Sequence, residues 1–203
     1  MASSPLFFFL LLILAGIIMT SASSGETGAG RNSSSSSSTE FVRKSCNATR
    51  FPSICYKSLA GYAAVVERSD VKLAHVAANF TLARLRPLSA RVSALSRNAT
   101  GADRPALRDC AEVLADAADW ARQTVVELKG LDKVVGPEVA WRVSNALTWM
   151  SAALTDEDTC TEGIAKSKPA AGGVKADVYC RVRKVGKYTS NALALIHLLG
   201  FNN

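Results

Sequence analysis

Hydrophobic residues recur at alternating steps of three and four positions along much of the chain. The first series follows Ser69 and Asp70, which are suitable residues for starting a helix. It consists of Val71, Ala74, Ala78, Thr81, Leu85, Leu88, Val92 and Leu95. This spacing places apolar side chains along one face of an α-helix. Pro87 falls inside the series and is expected to bend the helix in its second half.

Three further series follow, separated by turn residues. The second helix is predicted from about 104 to 129 with Asp103 as its N-cap, the third begins after the Gly-Pro pair at 136–137, and the fourth after the Gly-Gly pair at 172–173. Their core positions are Leu107, Cys110, Leu114, Ala117, Ala121, Val125 and Leu128; Val139, Val143, Ala146, Met150 and Ala153; and Val178, Val182, Val185, Thr189, Ala192, Ile196 and Leu199. Four such helices with short connections predict an all-α, up-down-up-down four-helix bundle.

The N-terminal end of the chain has a different pattern. Positions 6–19 are apolar except for Gly16. As a helix this stretch would measure about 21 Å, which is too short for a hydrocarbon core of about 30 Å. Small residues at positions 20 and 22 fit a signal-peptidase site, so we predict a signal peptide over 1–22 and a secreted product. An uncleaved membrane anchor is the alternative.

The next segment, 23–39, is rich in serine and contains one hydrophobic residue. It cannot bury enough apolar surface to offset its ordering entropy, so a flexible tether is predicted there and a folded helical domain over 40–203. Four N-glycosylation sequons after the signal fit a secretory route. Their asparagines are Asn32, Asn47, Asn79 and Asn98.

Composition narrows the class of protein. The 203 residues are 48% hydrophobic and 7% aromatic, which excludes a wholly disordered chain and disfavours an all-β sandwich. There are 24 basic and 17 acidic side chains, giving a net charge of +7. The secretory signal and the lack of a basic-aromatic motif argue against nucleic acid, so the expected counterpart of this charge is an anionic extracellular polysaccharide.

Four acids nevertheless form a stripe on the second predicted helix. At about 100° per residue they lie about 180–260° around the helix, whereas its core residues cluster within about −20 to 60°. The four are Asp109, Glu112, Asp116 and Asp119. The stripe is either a merely solvated face or a docking surface for a basic partner, whose affinity would then vary with pH.

No constellation of catalytic or metal-binding residues is apparent. His75 and His197 are the only histidines, and neither a nucleophile elbow nor a glycine-rich phosphate loop occurs. The acidic run 156–158 lacks EF-hand spacing, and we interpret it as a solvated helix end. The sequence therefore predicts neither an enzyme nor a protein with a metal or other cofactor.

The five cysteines suggest two disulfides and one remaining thiol in an oxidising compartment. They are Cys46, Cys55, Cys110, Cys160 and Cys180. Fifteen such pairings exist, and spacing alone does not choose among them. We interpret Cys180 as a half-buried structural cysteine rather than a reactive thiol.

Three segments of the chain, at 41–55, 148–160 and 190–196, resemble the signatures of a known family, the plant invertase and pectin methylesterase inhibitors. Residues 41–55 (FVRKSCNATRFPSIC) contain that family's opening pattern Cys-x-x-Thr-x-[Tyr/Phe]-Pro-x-x-Cys. Residues 148–160 (TWMSAALTDEDTC) are similar to its second signature, and 190–196 (SNALALI) to its C-terminal one. The resemblance spans 40–203 and implies a short N-terminal helical hairpin before the bundle. It also implies the bridges Cys46–Cys55 and Cys110–Cys160, which leave Cys180 free.

Within this family the sequence is more similar to the pectin methylesterase branch. Invertase inhibitors have a Pro-Lys-Phe segment near the start of the third helix, where this chain has Pro137, Glu138 and Val139. The resemblance thus implies a non-catalytic inhibitor that forms a 1:1 complex with pectin methylesterase in the cell wall and blocks its substrate cleft. Inhibition of acid invertase is the alternative. The expected contacts are the four acids of the stripe together with Asn145 and Thr148.

Overall fold

The computed structural model describes residues 29–167 and 173–200 of the chain. The predicted signal peptide and positions 23–28 of the predicted tether lie outside these ranges. Helices account for nearly all of the described residues, as the all-α prediction requires. None of the described helices combines the length and hydropathy needed to cross a membrane.

The N-terminal part is a helical hairpin held by a disulfide. Helix α1 (Ala29–Asn47) is followed by α2 (Pro52–Leu59), a 3₁₀ turn (Ala60–Tyr62) and the short α3 (Ala63–Val66). The Cys46–Cys55 bridge joins the end of α1 to α2. The turn between the helices is bound to the last helix of the chain, because Phe51 N–H donates to Asn191 Oδ1 and the Asn191 amide donates back to Phe51 O.

The structure differs from the predicted tether over residues 29–39, which form the first part of α1. Serine costs only a few tenths of a kcal/mol relative to alanine in a helix, so a serine run does not forbid one. Ser38 is also buried beside Val42, so tertiary contacts favour the helix. Helix α1 therefore begins eleven residues before residue 40, where we placed the boundary between tether and domain.

Four long helices form the body of the molecule. They are α4 (Asp70–Asn98), α5 (Arg104–Leu128), α6 (Pro137–Lys166) and α7 (Val174–Leu199). Ser69 caps α4 as predicted, because its hydroxyl accepts a hydrogen bond from Lys72 N–H. Asp103 precedes α5 but its side chain makes no capping bond there. Asp103 forms an ion pair with Lys175 instead, in which Lys175 Nζ and Asp103 Oδ1 are 2.8 Å apart.

Each long helix packs against its neighbours in sequence, and α7 closes the bundle against α4. Cys110 near the start of α5 is bonded to Cys160 near the end of α6, which makes those two helices antiparallel. Arg91 late in α4 pairs with Asp177 early in α7, so these helices are also antiparallel. The outcome is the predicted four-helix bundle, with the sequence-predicted stripes in its core.

The core is built in two clusters that meet near the middle of the bundle. One contains the hairpin together with the early part of α4, and the other surrounds the Cys110–Cys160 bridge. Three threonines, Thr81, Thr124 and Thr189, are buried between them. Each lies within hydrogen-bonding distance of the carbonyl oxygen four residues earlier, so their hydroxyls can be buried without being left unpaired.

Glu157 is buried between α6 and α7, with 1% of its surface exposed. The Thr189 hydroxyl donates to its Oε1 at 2.7 Å, whereas Oε2 has no partner among the described residues. Burial, assisted by the nearby charges of Asp158 and Asp156, raises the pKa of Glu157 to about 8. The interpretation of 156–158 as a solvated helix end is therefore wrong, because α6 continues to Lys166 and its core stripe passes through Glu157.

Candidate functional site: two oppositely charged halves

The charged residues are divided between two pairs of adjacent helices. Helices α4 and α7 together contain ten Lys and Arg residues and two acids, whereas α5 and α6 contain five Lys and Arg residues and ten acids. We call the first pair the basic half and the second the acidic half. The two halves therefore carry formal charges of +8 and −5, a division that the net charge of +7 for the whole chain does not reveal.

The predicted acidic stripe lies on the surface of α5. All four of its carboxylates are exposed, and they follow one another along the outer side of the helix: Asp109, Glu112, Asp116 and Asp119. Asp109 also lines a groove of about 420 Å³ whose α6 side includes Thr159 and Lys166, so this end of the stripe borders the seam between the two helices. The structure thus places the four predicted residues on one surface.

Two arginines on α5 neutralise part of this stripe. Arg108 contacts Asp109 at 3.4 Å and Glu112 at 3.9 Å, and Arg122 contacts Asp119 at 3.3 Å. These pairs are exposed, and such pairs contribute little to stability. Asp116 has no ion pair among the described residues, so it is the stripe residue whose charge is least compensated.

A pair of stacked tryptophans lies beside the stripe. The rings of Trp120 on α5 and Trp149 on α6 are nearly parallel, with centroids 5.1 Å apart. Asp156 on α6 lies close to Trp120, and its Oδ2 has no hydrogen-bond partner among the described residues. Partial burial and the nearby charge of Asp116 raise the pKa of Asp156 above its ordinary value. The acidic half therefore has a rigid aromatic centre with two interacting carboxylates beside it.

The two predicted contact residues on α6 have different surroundings. Thr148 is exposed, and its hydroxyl donates to the Ser144 carbonyl within the same helix. Asn145 is half-buried and donates to Glu127 on α5 at 3.3 Å, so it holds the two helices together. Trp141, one turn earlier than Asn145, is 62% exposed despite its size. Trp141 also lies two turns before Thr148, on the same side of α6. We name the surface formed by the α5 stripe, Trp120, Trp149, Trp141, Thr148 and Asp156 the acidic face.

Both bridges implied by the resemblance are present, Cys46–Cys55 and Cys110–Cys160. The second joins α5 to α6 within the acidic half. Cys180 is free, and it is exposed on α7 rather than half-buried as we predicted. It falls outside the core stripe of α7, which passes through Val178 and Val182 on either side of it.

Three of the four sequon asparagines have described side chains, and all three are exposed: Asn47, Asn79 and Asn98. Asn47 and Asn98 end α1 and α4, whereas Asn79 lies within α4 and donates to the His75 carbonyl. Asn32 lies in α1. Glycosylation at these positions remains a prediction.

Within residues 29–167 and 173–200, no group of three or more His, Cys, Asp or Glu side chains is arranged to hold a metal ion. His75 is half-buried in α4, where burial and the charge of Lys129 lower its pKa. The described surface is distinguished instead by its division of charge between the two halves.

Sequence reasoning found the acidic stripe but missed the division of charge and the tryptophan pair. The division could have been found by counting charges separately for each predicted helix. The pairing of Trp120 with Trp149 depends on the register between α5 and α6. That register becomes predictable only once the Cys110–Cys160 bridge is assigned.

The family model for the plant invertase/pectin methylesterase inhibitors matches residues 40–195. The chain belongs to this family, which confirms the resemblance found in the sequence and places it among non-catalytic inhibitor proteins.

Three relatives illustrate where the chain falls within the family. It is 38% identical to pectinesterase inhibitor 11 of Arabidopsis thaliana, over 77% of this chain and 79% of that protein. It is 39% identical to pectinesterase inhibitor 9 of the same plant, over 79% and 80% respectively. A 21 kDa protein of Daucus carota is 34% identical, over 79% and 83%.

The fold also matches a solved structure. A crystal structure of a mutant form of a pectin methylesterase inhibitor from Arabidopsis superimposes with a TM-score of 0.60, covering 75% of this chain and 93% of that one. Sequence identity in this comparison is 19%, so it supports the fold alone.

Proposed function

We propose that the chain is a secreted inhibitor of pectin methylesterase, acting outside the cell in the plant cell wall. The observation that carries this proposal is the 38–39% identity, over more than three quarters of the chain, to two proteins named pectinesterase inhibitors. The predicted signal peptide and sequons fit the same compartment, as do the two disulfides, since disulfides persist in oxidising environments. Weak contact with anionic wall pectin accompanies this role.

The acidic face is the surface that we assign to the enzyme. It combines exposed carboxylates with a large exposed aromatic residue, Trp141, which is the kind of side chain enriched at the centres of protein interfaces. The Trp120–Trp149 stack and the Cys110–Cys160 bridge fix the spacing of α5 and α6, so little side-chain and backbone freedom would be lost on binding. The bundle would then cover the substrate cleft and exclude pectin in a 1:1 complex.

Titration of the secreted chain against pectin methylesterase at mildly acidic pH tests this proposal. We expect residual activity to fall linearly to an endpoint at one inhibitor per enzyme when the enzyme concentration is well above Kd. A parallel titration against cell-wall and vacuolar acid invertase tests the alternative target. Inhibition of invertase without inhibition of pectin methylesterase would contradict the proposal.

A further inference from the structure

The basic half contains a groove that the proposed inhibitory contact does not use. It has a volume of about 350 Å³ and runs between α4 and α7. Four cations line it, Arg84 and Arg91 from α4 and Arg181 and Lys184 from α7, together with Pro87, Leu88, Val185 and Tyr188. None of these eight residues is acidic, so the groove has a positive potential that attracts anions.

Three of the four cations, Arg84, Arg91 and Arg181, are held by neighbouring side chains. The Arg84 guanidinium lies 4.8 Å over the ring of Phe80, and Phe80 packs edge-to-face against Tyr188 with centroids 5.0 Å apart. Arg91 and Arg181 both bond Asp177, at 3.1 Å and 2.7 Å. One carboxylate shared between two guanidiniums leaves an excess of positive charge beside the groove.

The shape of the groove favours an extended ligand over a compact one. Arg84 and Arg91 are seven residues apart on one helix, which is about 10 Å along its axis. The groove therefore presents charge over more than the length of a single sugar unit, which suits a linear polymer of such units. Tyr188 and Pro87 supply apolar surface between the cations, against which the C–H faces of sugar rings can pack.

We propose that the α4–α7 groove is a binding site for a linear polymer of sugar carboxylates. The polymer that fits the proposed function is de-esterified pectin, the polycarboxylate that remains after a pectinesterase has removed methyl esters. This identification rests on the proposed function, whereas the site itself rests on the groove. Because the groove and the acidic face lie on different pairs of helices, the chain can hold the polymer while its acidic face is on the enzyme.

Binding to immobilised polygalacturonate at 20 mM and 150 mM NaCl tests the site. The test variant carries Arg84→Gln, Arg91→Gln and Lys184→Gln, and the control carries Lys57→Gln, Arg104→Gln and Lys129→Gln, which removes the same charge from exposed positions elsewhere. Losing three exposed charge contacts should raise Kd about tenfold in the test variant, and the control should stay within about twofold of the unmodified chain. Both should bind more weakly at high salt.

Three outcomes would overturn the site. An equal loss of affinity for polygalacturonate in the test and control variants would mean that net charge alone drives binding. Undiminished binding to fully methyl-esterified pectin would show that carboxylates are not recognised, and equal binding to duplex DNA would show a nonspecific polyanion surface. Complex formation with pectin methylesterase, measured without pectin, reports separately on the proposed function, so failure of one proposal is distinguishable from failure of the other.

Discussion

The two halves of this bundle share a fold and a core but differ in charge and in how they are joined. The acidic half, α5 and α6, is joined by a disulfide and a tryptophan stack. The basic half, α4 and α7, is joined by the edge-to-face contact of Phe80 with Tyr188 and by the exposed Arg91–Asp177 pair, with no disulfide among its described residues. The difference suggests that one half must present a fixed surface to a folded partner. The other needs only to keep positive charge along a groove.

The largest expected effect on stability comes from opening the covalent link in the acidic half. Replacing both Cys110 and Cys160 by alanine should cost about 4 kcal/mol of unfolding free energy, since the bridge closes a loop with a separation of 50 residues. Replacing Cys46 and Cys55, with a separation of nine residues, should cost about 2.5 kcal/mol on the same loop-entropy model. Urea unfolding of the two variants measures the difference. A larger loss of unfolding free energy on replacing Cys46 and Cys55 than on replacing Cys110 and Cys160 would contradict this ranking.

A second expected effect is the pH dependence set by Glu157 at the seam between the halves. Its pKa is about 8 in the folded chain, above its ordinary value of 4.5, so the folded state binds more protons between these two values. The contribution of Glu157 to stability should therefore be greatest below about pH 4.5 and fall as pH rises to 8, by at most roughly 1.4 kcal/mol per pH unit.

Glu157→Gln separates this effect from other titrations. The neutral amide should remove the fall between pH 5 and 8 and make the variant more stable than the unmodified chain at pH 8. Glu162→Gln is the matched control, because Glu162 is an exposed acid on the same helix. Thermal or urea unfolding at pH 5, 6.5 and 8 measures all three proteins. A slope that persists in Glu157→Gln would show that other groups are responsible.

The smallest effect is expected for the ion pair that joins the basic half. Arg91→Gln removes a contact between side chains that are 53% and 39% exposed, and such pairs contribute less than about 1 kcal/mol. Unfolding free energy should change by less than about 0.5 kcal/mol, although Arg91 lines the polymer groove. A loss of unfolding free energy above about 1.5 kcal/mol would mean that the Arg91–Asp177 pair stabilises the basic half more than its solvent exposure indicates.

The fold was predictable because four alanine-rich stripes have clear helical spacing and are bounded by Gly, Pro and Ser. The buried acid was missed, although the core stripe of α6 continues at the same spacing from Ala153 to Glu157 and Cys160. Because glutamate is usually charged, we expected Glu157 to be exposed to solvent. Its burial is instead possible because the carboxyl can be protonated and is bonded by Thr189, and this contact can be recognised only once the position of α7 is known. The serine segment of α1 was missed for a related reason, since its helix depends on tertiary contacts at Ser38.

The site was predictable only within one helix. Helical angles were enough to place Asp109, Glu112, Asp116 and Asp119 on a common surface. They could not show that Asn145 bonds Glu127 across the seam, or that Asp156 lies beside Asp116. Contacts between helices depend on register, which a single hydrophobic pattern does not specify.

The most direct test of the account is the affinity of charge-reversed variants for pectin methylesterase, measured by titration calorimetry without pectin. Glu112→Lys, Asp116→Lys and Asp119→Lys together should raise Kd at least about 100-fold, because like charges at an interface cost several kcal/mol. The matched control reverses three exposed acids elsewhere, Glu40, Glu67 and Asp132, to lysine and should stay within about threefold of the unmodified chain. Unchanged affinity in the first variant, or equal losses in both, would contradict docking through the acidic face.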